Sequence, residues 1–363
     1  MGSGKEGDLL LNHKPTNPIL GEIHKTRILH PDGTYSYIIC EQTVHHPPTS
    51  AFDIYNPTHG VRLSGNMNFG VVFHQNSVTV ETKGGLKVYL ELKDGTKETY
   101  LMEAGVPSMF IKNVLLGTKY VYWTGNHCIN SSNGWRAQMV FGFKDGKNTI
   151  NGVIWNENES KGKKKEAKEE KEEKSGGWAS RWTRSAVNAA KSTAKFTTGW
   201  LYDSEGEDGW ITTSKIEFNP EDIDSRFYGV GGGETWVHPG PFKNKEEKAK
   251  KDAPPEDRYL LLNAKDLYSN ECNEYPSILE ENSSISVWRG VGEAIVSGDM
   301  ETADIKKTEV EEKQRLLRTT RKENGEEFVP AYFHLDDSDG WSFWTINDGH
   351  WYREDQSQIY RAV

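Results

Sequence analysis

The sequence predicts a mainly β protein with some α, an antiparallel meander curled into a sandwich or barrel, with a helical segment toward its C-terminal end. Three observations carry this expectation. Turn dipeptides recur at Asp32-Gly33, Gly84-Gly85, Asp94-Gly95, Asn133-Gly134, Asp145-Gly146 and Asn151-Gly152, and strands set about 8–12 residues apart by such signals mark an antiparallel array. Leu86 to Leu92 alternates Leu, Val, Leu, Leu with Lys, Tyr and Glu before stopping at the hairpin dipeptide Asp94-Gly95, which is the period of a half-buried strand. The 12 Trp, 15 Tyr and 13 Phe of the 363 residues suit pleated surfaces, on which rings pack well.

Strand-like sequence fills Thr34 to Ile154. Glu157 to Lys174 is a Lys/Glu run with almost no apolar residue; it builds no core and reads as a solvated linker or a single charged helix. Strand character returns at Trp210 to Phe218. A second charged stretch, Lys243 to Asp257, holds Pro254-Pro255 and reads as a surface loop, and Tyr259 to Leu262 is a short apolar run. Ala303 to Arg321 is helical, with Glu311, Gln314, Arg315 and Arg318 at three- and four-residue steps among good helix formers. Phe328 to Tyr360 is aromatic and strand-like again. No internal repeat is visible. The chain is expected to form one domain over residues 1–363, carrying a charged linker and a basic amphipathic insertion at 157–208.

Composition excludes several classes of function. A net charge of -10 argues against a dedicated nucleic-acid binder. Cys40, Cys128 and Cys272 are widely spaced and odd in number, a pattern of free thiols that fits neither a disulfide scaffold nor a zinc site. MGSGKEGDLLL has no apolar signal core, Glu6 stands where a myristoylation signal prefers Ser or Thr, and no apolar run approaches the ~18 residues a membrane helix needs. The expectation is a cytoplasmic protein, peripheral on membranes.

Three segments carry chemistry. In Glu41-Gln42-Thr43-Val44-His45-His46-Pro47-Pro48, adjacent histidines on a strand point to opposite faces and cannot share a metal, while the prolines force an extended chain and end the strand. Two readings fit: a structural turn with incidental histidines, or a bend that brings both imidazoles to one anion. Lys14-Pro15-Thr16-Asn17-Pro18-Ile19-Leu20-Gly21-Glu22 is a stiff loop that offers Lys14 as a mobile cation and Asn17 as a neutral donor, or simply a proline-rich connection. Lys307, Glu311 and Arg315, four apart, stack on one helix face. They make either an ordinary ion-pair ladder worth a few tenths of a kcal/mol per pair, or a phosphate site whose cations are oriented by the carboxylate between them.

EQTVHHPP resembles the EQVSHHPP fingerprint of the oxysterol-binding-protein-related family, departing at Thr43 and Val44. KPTNPILGE resembles that family's KPxNPxLGE loop, and AIVSGDMETADIKKTEVEEKQRLLR its AIxxxDxxxAxxxKxxxExxQRxxR helix; with FVPAYF, the resemblance runs from Leu10 to about Tyr360. It implies a large, nearly closed antiparallel β-barrel around an apolar lipid tunnel. It also implies that phosphatidylinositol 4-phosphate is held through its phosphate by His45, His46, Lys307 and Arg315. Glu311 would orient the cations, and Lys14 and Asn17 would touch the head group. Family domains carry an N-terminal lid ahead of the loop, where this chain has only Met1 to His13; a short or missing lid is expected, which bears on sterol binding more than on the phosphoinositide.

The insertion departs from the family pattern. Ser175 to Leu201 has no acidic residue. On a helical projection Trp178, Trp182, Phe196 and Trp200 fall on one side and Arg181, Arg184, Lys191 and Lys195 on the other. That describes an interfacial membrane helix, or a helix packed on the barrel wall.

The function implied is lipid binding and transfer between membranes, at organelle contact sites, with phosphatidylinositol 4-phosphate exchanged for a sterol or phosphatidylserine. A phosphoinositide sensor or scaffold without net transport is the alternative. An enzyme is not expected: no nucleophile beside a base, no metal-ligand spacing and no P-loop is present, and Gly231-Gly232-Gly233 alone is a weak signal. Neither a cofactor nor a metal is called for.

Overall fold

The computed structural model describes residues 16–102, 106–144, 146–159, 223–230, 234–239, 259–263, 273–276, 278–336, 343–347 and 360–362. In chain order the strands are β1 (Ile23–Leu29), β2 (Tyr35–Val44), β3 (Thr49–Asn56), β4 (Val61–Phe73), β5 (Ser77–Glu91), β6 (Lys97–Met102), β7 (Ser108–Lys112), β8 (Tyr120–Ser131), β9 (Trp135–Lys144) and β10 (Lys147–Asn156). There follow β11 (Ile223–Val230), β12 (Glu234–Pro239), β13 (Tyr259–Asn263), β14 (Asn273–Pro276), helices α1 (Ser284–Val296) and α2 (Met300–Asn324), and β15 (Phe333–Asp336), β16 (Phe343–Ile346) and β17 (Tyr360–Ala362). The fold is mainly antiparallel β with a few helices, as the turn spacing and aromatic content predict.

The chain divides into two compact units, and the boundaries cut β4, β5 and, after its first residue, β6. The first comprises Met1–Phe69, Lys83–Lys97 and Asn270–Val363. Its strands are ordered β5-β4-β3-β2-β1-β14-β17, with β1 to β4 a meander in which Thr26 faces Ile38, Ile38 faces Ile54 and Ile54 faces Leu63. Period-two burial places Tyr37, Ile39 and Glu41 of β2 and Thr49, Ala51 and Asp53 of β3 inside. The hairpin β15–β16 covers them, packing Phe333 and Ile346 on Ile39 and Ala51. Asp53, fully buried, is satisfied by Ser64 Oγ and by Arg62 Nε at 2.9 Å, as a carboxylate inside a sheet must be. The second unit, Gly70–Thr82 and Glu98–Ser269, orders its strands β6-β8-β9-β10-β11-β12-β13, with β7 joining the start of β5 to β8.

Asp32-Gly33, Asp94-Gly95 and Asn133-Gly134 lie at turns, as does Gly146, but two dipeptides do not. Gly84-Gly85 falls inside β5 and Asn151-Gly152 inside β10. At Gly84, with φ of +121°, a Cβ would stand 2.0 Å from the Asn66 carbonyl oxygen, so the residue is glycine because a neighbouring strand passes against it, not because the chain reverses. The strands also run longer than the expected spacing allows, β5 to 15 residues and β4 to 13.

The C-terminal helical segment is two helices. Ser283 caps α1, accepting from Ser286 N–H at 3.2 Å. Gly298, at φ +78°, turns the chain, and Asp299 starts α2 by accepting from Thr302 N–H at 2.9 Å. α2 then runs 25 residues to a left-handed Gly325 cap. Val291 and Ala294 of α1 pack on Ala303 of α2. Tyr259 to Leu262 is β13; Phe328 to Tyr360 holds β15 and β16. Trp210 to Phe218 and the Lys243 to Asp257 stretch lie outside the described residues.

Candidate functional site

All the described motif residues lie in the first unit. β2 leads into the histidine turn through a bulge at Thr43, where the register shifts between Gln42 and Val44. Gln42 then spans the bend: its Nε2 donates to the Val44 carbonyl at 2.8 Å and its Oε1 accepts from Ser50 Oγ at 2.5 Å. Thr43 Oγ1 donates to the Thr49 carbonyl at 3.3 Å, and Thr49 Oγ1 to the Pro47 carbonyl at 3.2 Å. The chain has therefore left the strand where the histidines sit. Both are exposed, with ring centroids 4.3 Å apart, rather than on opposite faces of a sheet. Burial first, then the charges of His46 and Arg318, hold the His45 imidazole below its ordinary range.

Arg318, one turn beyond Arg315, is the helix residue whose charge reaches His45. Toward the helix N-terminus the ladder is formed: Lys307 Nζ stands 3.8 Å from Glu311 Oε1, and Arg315 Nη2 3.5 Å from Glu311 Oε2. Lys307 and Arg315 are separated by about 12 Å of helix rise, yet both lean on one carboxylate. The ladder is solvent-exposed and worth little to stability.

The KPTNPILGE loop is fixed beside the same strand. Gly21 N–H donates to the Gln42 carbonyl at 2.9 Å and Gln42 N–H to the Glu22 carbonyl at 3.0 Å. Glu22, buried, accepts from Ile19 N–H at 3.0 Å, Ser284 Oγ at 2.6 Å and Trp288 Nε1 at 2.9 Å, which pins the loop to the first turns of α1. Gly21 has φ +80°, and a Cβ there would press the Phe328 ring at 3.1 Å. Asn17 is exposed on this loop. Lys14 lies outside the described residues, as do Trp178, Trp182, Phe196 and Trp200 of the insertion.

Glu41 is the other bracket. Its buried carboxylate accepts the N–H groups of Ala331 and Tyr332, both at 2.8 Å, which ties the segment after α2 to the strand that carries the histidines. Burial pushes its pKa up while those backbone donors pull it back, and Glu280 adds an upward push. Glu280 in turn holds Lys25 at 2.5 Å and the Tyr332 hydroxyl at 2.9 Å.

A sequence profile described as oxysterol-binding protein matches residues 10–355. The chain belongs to the oxysterol-binding protein family. Oxysterol-binding protein 10 of Dictyostelium discoideum is 24% identical over 90% of this chain and 64% of its own length, so the chain spans under two thirds of that relative. Protein kes1 of Schizosaccharomyces pombe is 24% identical over 93% of this chain and 71% of its own length. The Osh1 ORD domain, solved with cholesterol, superposes at a TM-score of 0.62 with 17% identity over 95% of this chain and 70% of that one. The Osh3 ORD of Saccharomyces cerevisiae, solved with PI(4)P, superposes at 0.52 with 16% identity over 93% and 71%. These likenesses establish the fold.

In this family member the fingerprint residues divide by burial. Gly21, Glu22, Glu41 and Gln42 hold the elements together, whereas Asn17, His45, His46, Arg315 and Arg318 face solvent and Lys307 is part-exposed. Sequence reasoning placed Arg318 on the helix but gave it no role. Its three-residue step from Arg315 was the available signal. Among the described residues, no cluster of His, Cys, Asp and Glu is arranged to hold a metal, and no helix is long and apolar enough to cross a membrane.

Proposed function

We propose that the whole chain forms one lipid-exchange domain that binds phosphatidylinositol 4-phosphate through its phosphomonoester and trades it for a sterol or phosphatidylserine, without catalysing a reaction on either. The carrying observation is the exposed histidine pair on a braced turn, within the field of the cationic face of α2. Two imidazoles and a guanidinium fork suit a dianionic phosphate, because charge-assisted bonds to it are short and about twice as strong as neutral ones. Lys307 and Arg315, converging on Glu311, would turn from the carboxylate to the phosphate. Lys14 and Asn17 would meet the inositol ring. The acyl chains and the second lipid would occupy an apolar barrel interior. The protein would work on the cytoplasmic face of membranes, with Trp178 to Trp200 as a further membrane contact.

Lipids that co-purify with the protein, identified by mass spectrometry, test the ligand pair directly. Liposome extraction by the His45→Ala/His46→Ala protein tests the site. Loss of extraction by a folded variant is expected, since each bond to the phosphate contributes about 1.5–3 kcal/mol; undiminished extraction overturns the assignment. A sensor would bind the phosphoinositide and show no second lipid in competition.

A further inference from the structure

In the second unit, far along the chain from these motifs, three apolar side chains stand in solvent on two neighbouring turns. Leu115 is 75%, Leu116 77% and Phe73 79% exposed. The turn between β7 and β8 that carries the leucines is not slack. Asn76, in the β4–β5 turn, accepts the N–H groups of Leu115 and Leu116 through Oδ1, each at 3.0 Å. Its Nδ2 donates to the Leu116 carbonyl at 3.0 Å, and its own carbonyl accepts from Val114 N–H at 3.1 Å. Asn113, in the left-handed region at φ 58°, closes the turn by donating to the Thr118 carbonyl at 2.9 Å. One amide therefore zips two hairpin tips together and holds a leucine pair outward, against the hydrophobic drive to cover it.

The charge around the tips points to what covers it. The protein's net charge is -10, yet no Asp or Glu occurs between Glu103 and Asp145 or from Gly70 to Val80. Lys112 and Lys119 flank the leucine turn, and Lys119 is exposed. A protein partner of ordinary composition has no need of two tip segments without a carboxylate. An anionic bilayer does: it attracts lysines within a Debye length and accepts apolar side chains below its head groups.

We propose that the Leu115-Leu116 turn, braced by Asn76 and joined by Phe73, is a docking tip that inserts into the interface of anionic membranes. The lipid-exchange reading supplies its purpose, but the contact is separate from the histidine turn.

The test is flotation of the full chain on phosphatidylcholine vesicles containing phosphatidylserine and no phosphoinositide, beside binding of a soluble short-chain phosphatidylinositol 4-phosphate. Leu115→Ser/Leu116→Ser should float roughly tenfold less tightly and bind the soluble lipid as the parent does. Leu115→Trp/Leu116→Trp should float more tightly than the parent, an effect that misfolding does not mimic. Asn76→Ala, which leaves both leucines but frees the turn, should fall between the parent and the Ser variant. His45→Ala/His46→Ala should float normally while losing the soluble lipid. Failure of the parent to float overturns the proposal, as does equal flotation of the Ser variant or no gain from the Trp variant. If no protein binds the soluble lipid while flotation still follows the leucines, the head-group reading falls and the docking tip stands.

Discussion

The loop-and-strand bracket around Glu22 and Glu41 and the exposed face made by the histidine turn and α2 share the same sequence motifs and do opposite work. In the bracket, carboxylates are buried and each accepts two donors from a distant segment. On the face, two imidazoles stand side by side in solvent, and Lys307 and Arg315 have Glu311 for company. A fingerprint is thus a composite. Its buried acids set geometry and its exposed bases face solvent, and burial sorts them where the pattern alone does not.

The sharpest way to break this division is Glu41→Ala. It removes the acceptor of the part-buried backbone N–H groups of Ala331 and Tyr332 and empties a buried site, so a loss of roughly 1–3 kcal/mol in denaturant unfolding is expected. The histidine double variant should unfold within about 0.5 kcal/mol of the parent, as exposed substitutions do. Equal destabilisation by the two would erase the distinction.

A smaller effect separates charge from shape. Arg315→Lys keeps the cation but loses the planar fork, and should weaken phosphoinositide binding by about tenfold with unfolding unchanged. Glu311→Ala should weaken it less, because that carboxylate only positions its neighbours. Titration calorimetry with the short-chain lipid reads both, and equal affinity of the Lys variant would make Arg315 a helix residue and no more.

The smallest effect is the dependence on pH. In the free protein His45 is held low by burial, His46 and Arg318; an arriving phosphate favours its charged form and raises it. Binding therefore takes up a proton, and affinity should rise as pH falls through the bound-state value, then level off below the free-state value. Near pH ~6 the phosphate's own protonation begins to oppose this. His45→Ala should flatten the profile; an unchanged slope would place the titrating group elsewhere.

Much of this was legible in the residues. Leu86 to Leu92 reads as a strand and all but Leu92 lies in β5, and the Ala303 to Arg321 pattern lies within α2. α1 was not separable from its surroundings: Ile285, Val287, Val291, Gly290 and Gly292 are poor helix formers, and it is helical because Glu22 clamps its first turns and α2 packs on its Val291 and Ala294. At Gly290 a Cβ would meet the Lys306 side chain only at an ordinary contact distance of 3.4 Å, whereas at Gly84 it would stand 2.0 Å from the Asn66 carbonyl oxygen, so of the two only Gly84 answers to a neighbour. The Asn-Gly and Gly-Gly signals misled for the same reason, since glycine marks close approach as often as reversal. The two histidines' proximity was one of two readings the residues left open, and what decides it, the bulge at Thr43 and the Gln42 bridge, is not visible in the pattern.

The bonds from Glu41 to Ala331 and Tyr332 join residues 290 and 291 apart in the chain. Contacts of such separation are the slow ones to form, since the intervening chain must first be brought together. The meander of β1 to β3 assembles from neighbours and can present the histidine turn early, but the basic face of α2 reaches it only when the distant segment docks. A refolding chain should therefore regain sheet signal well before ligand affinity, with the interval set by this closure and by those from Glu22 to Ser284 and Trp288.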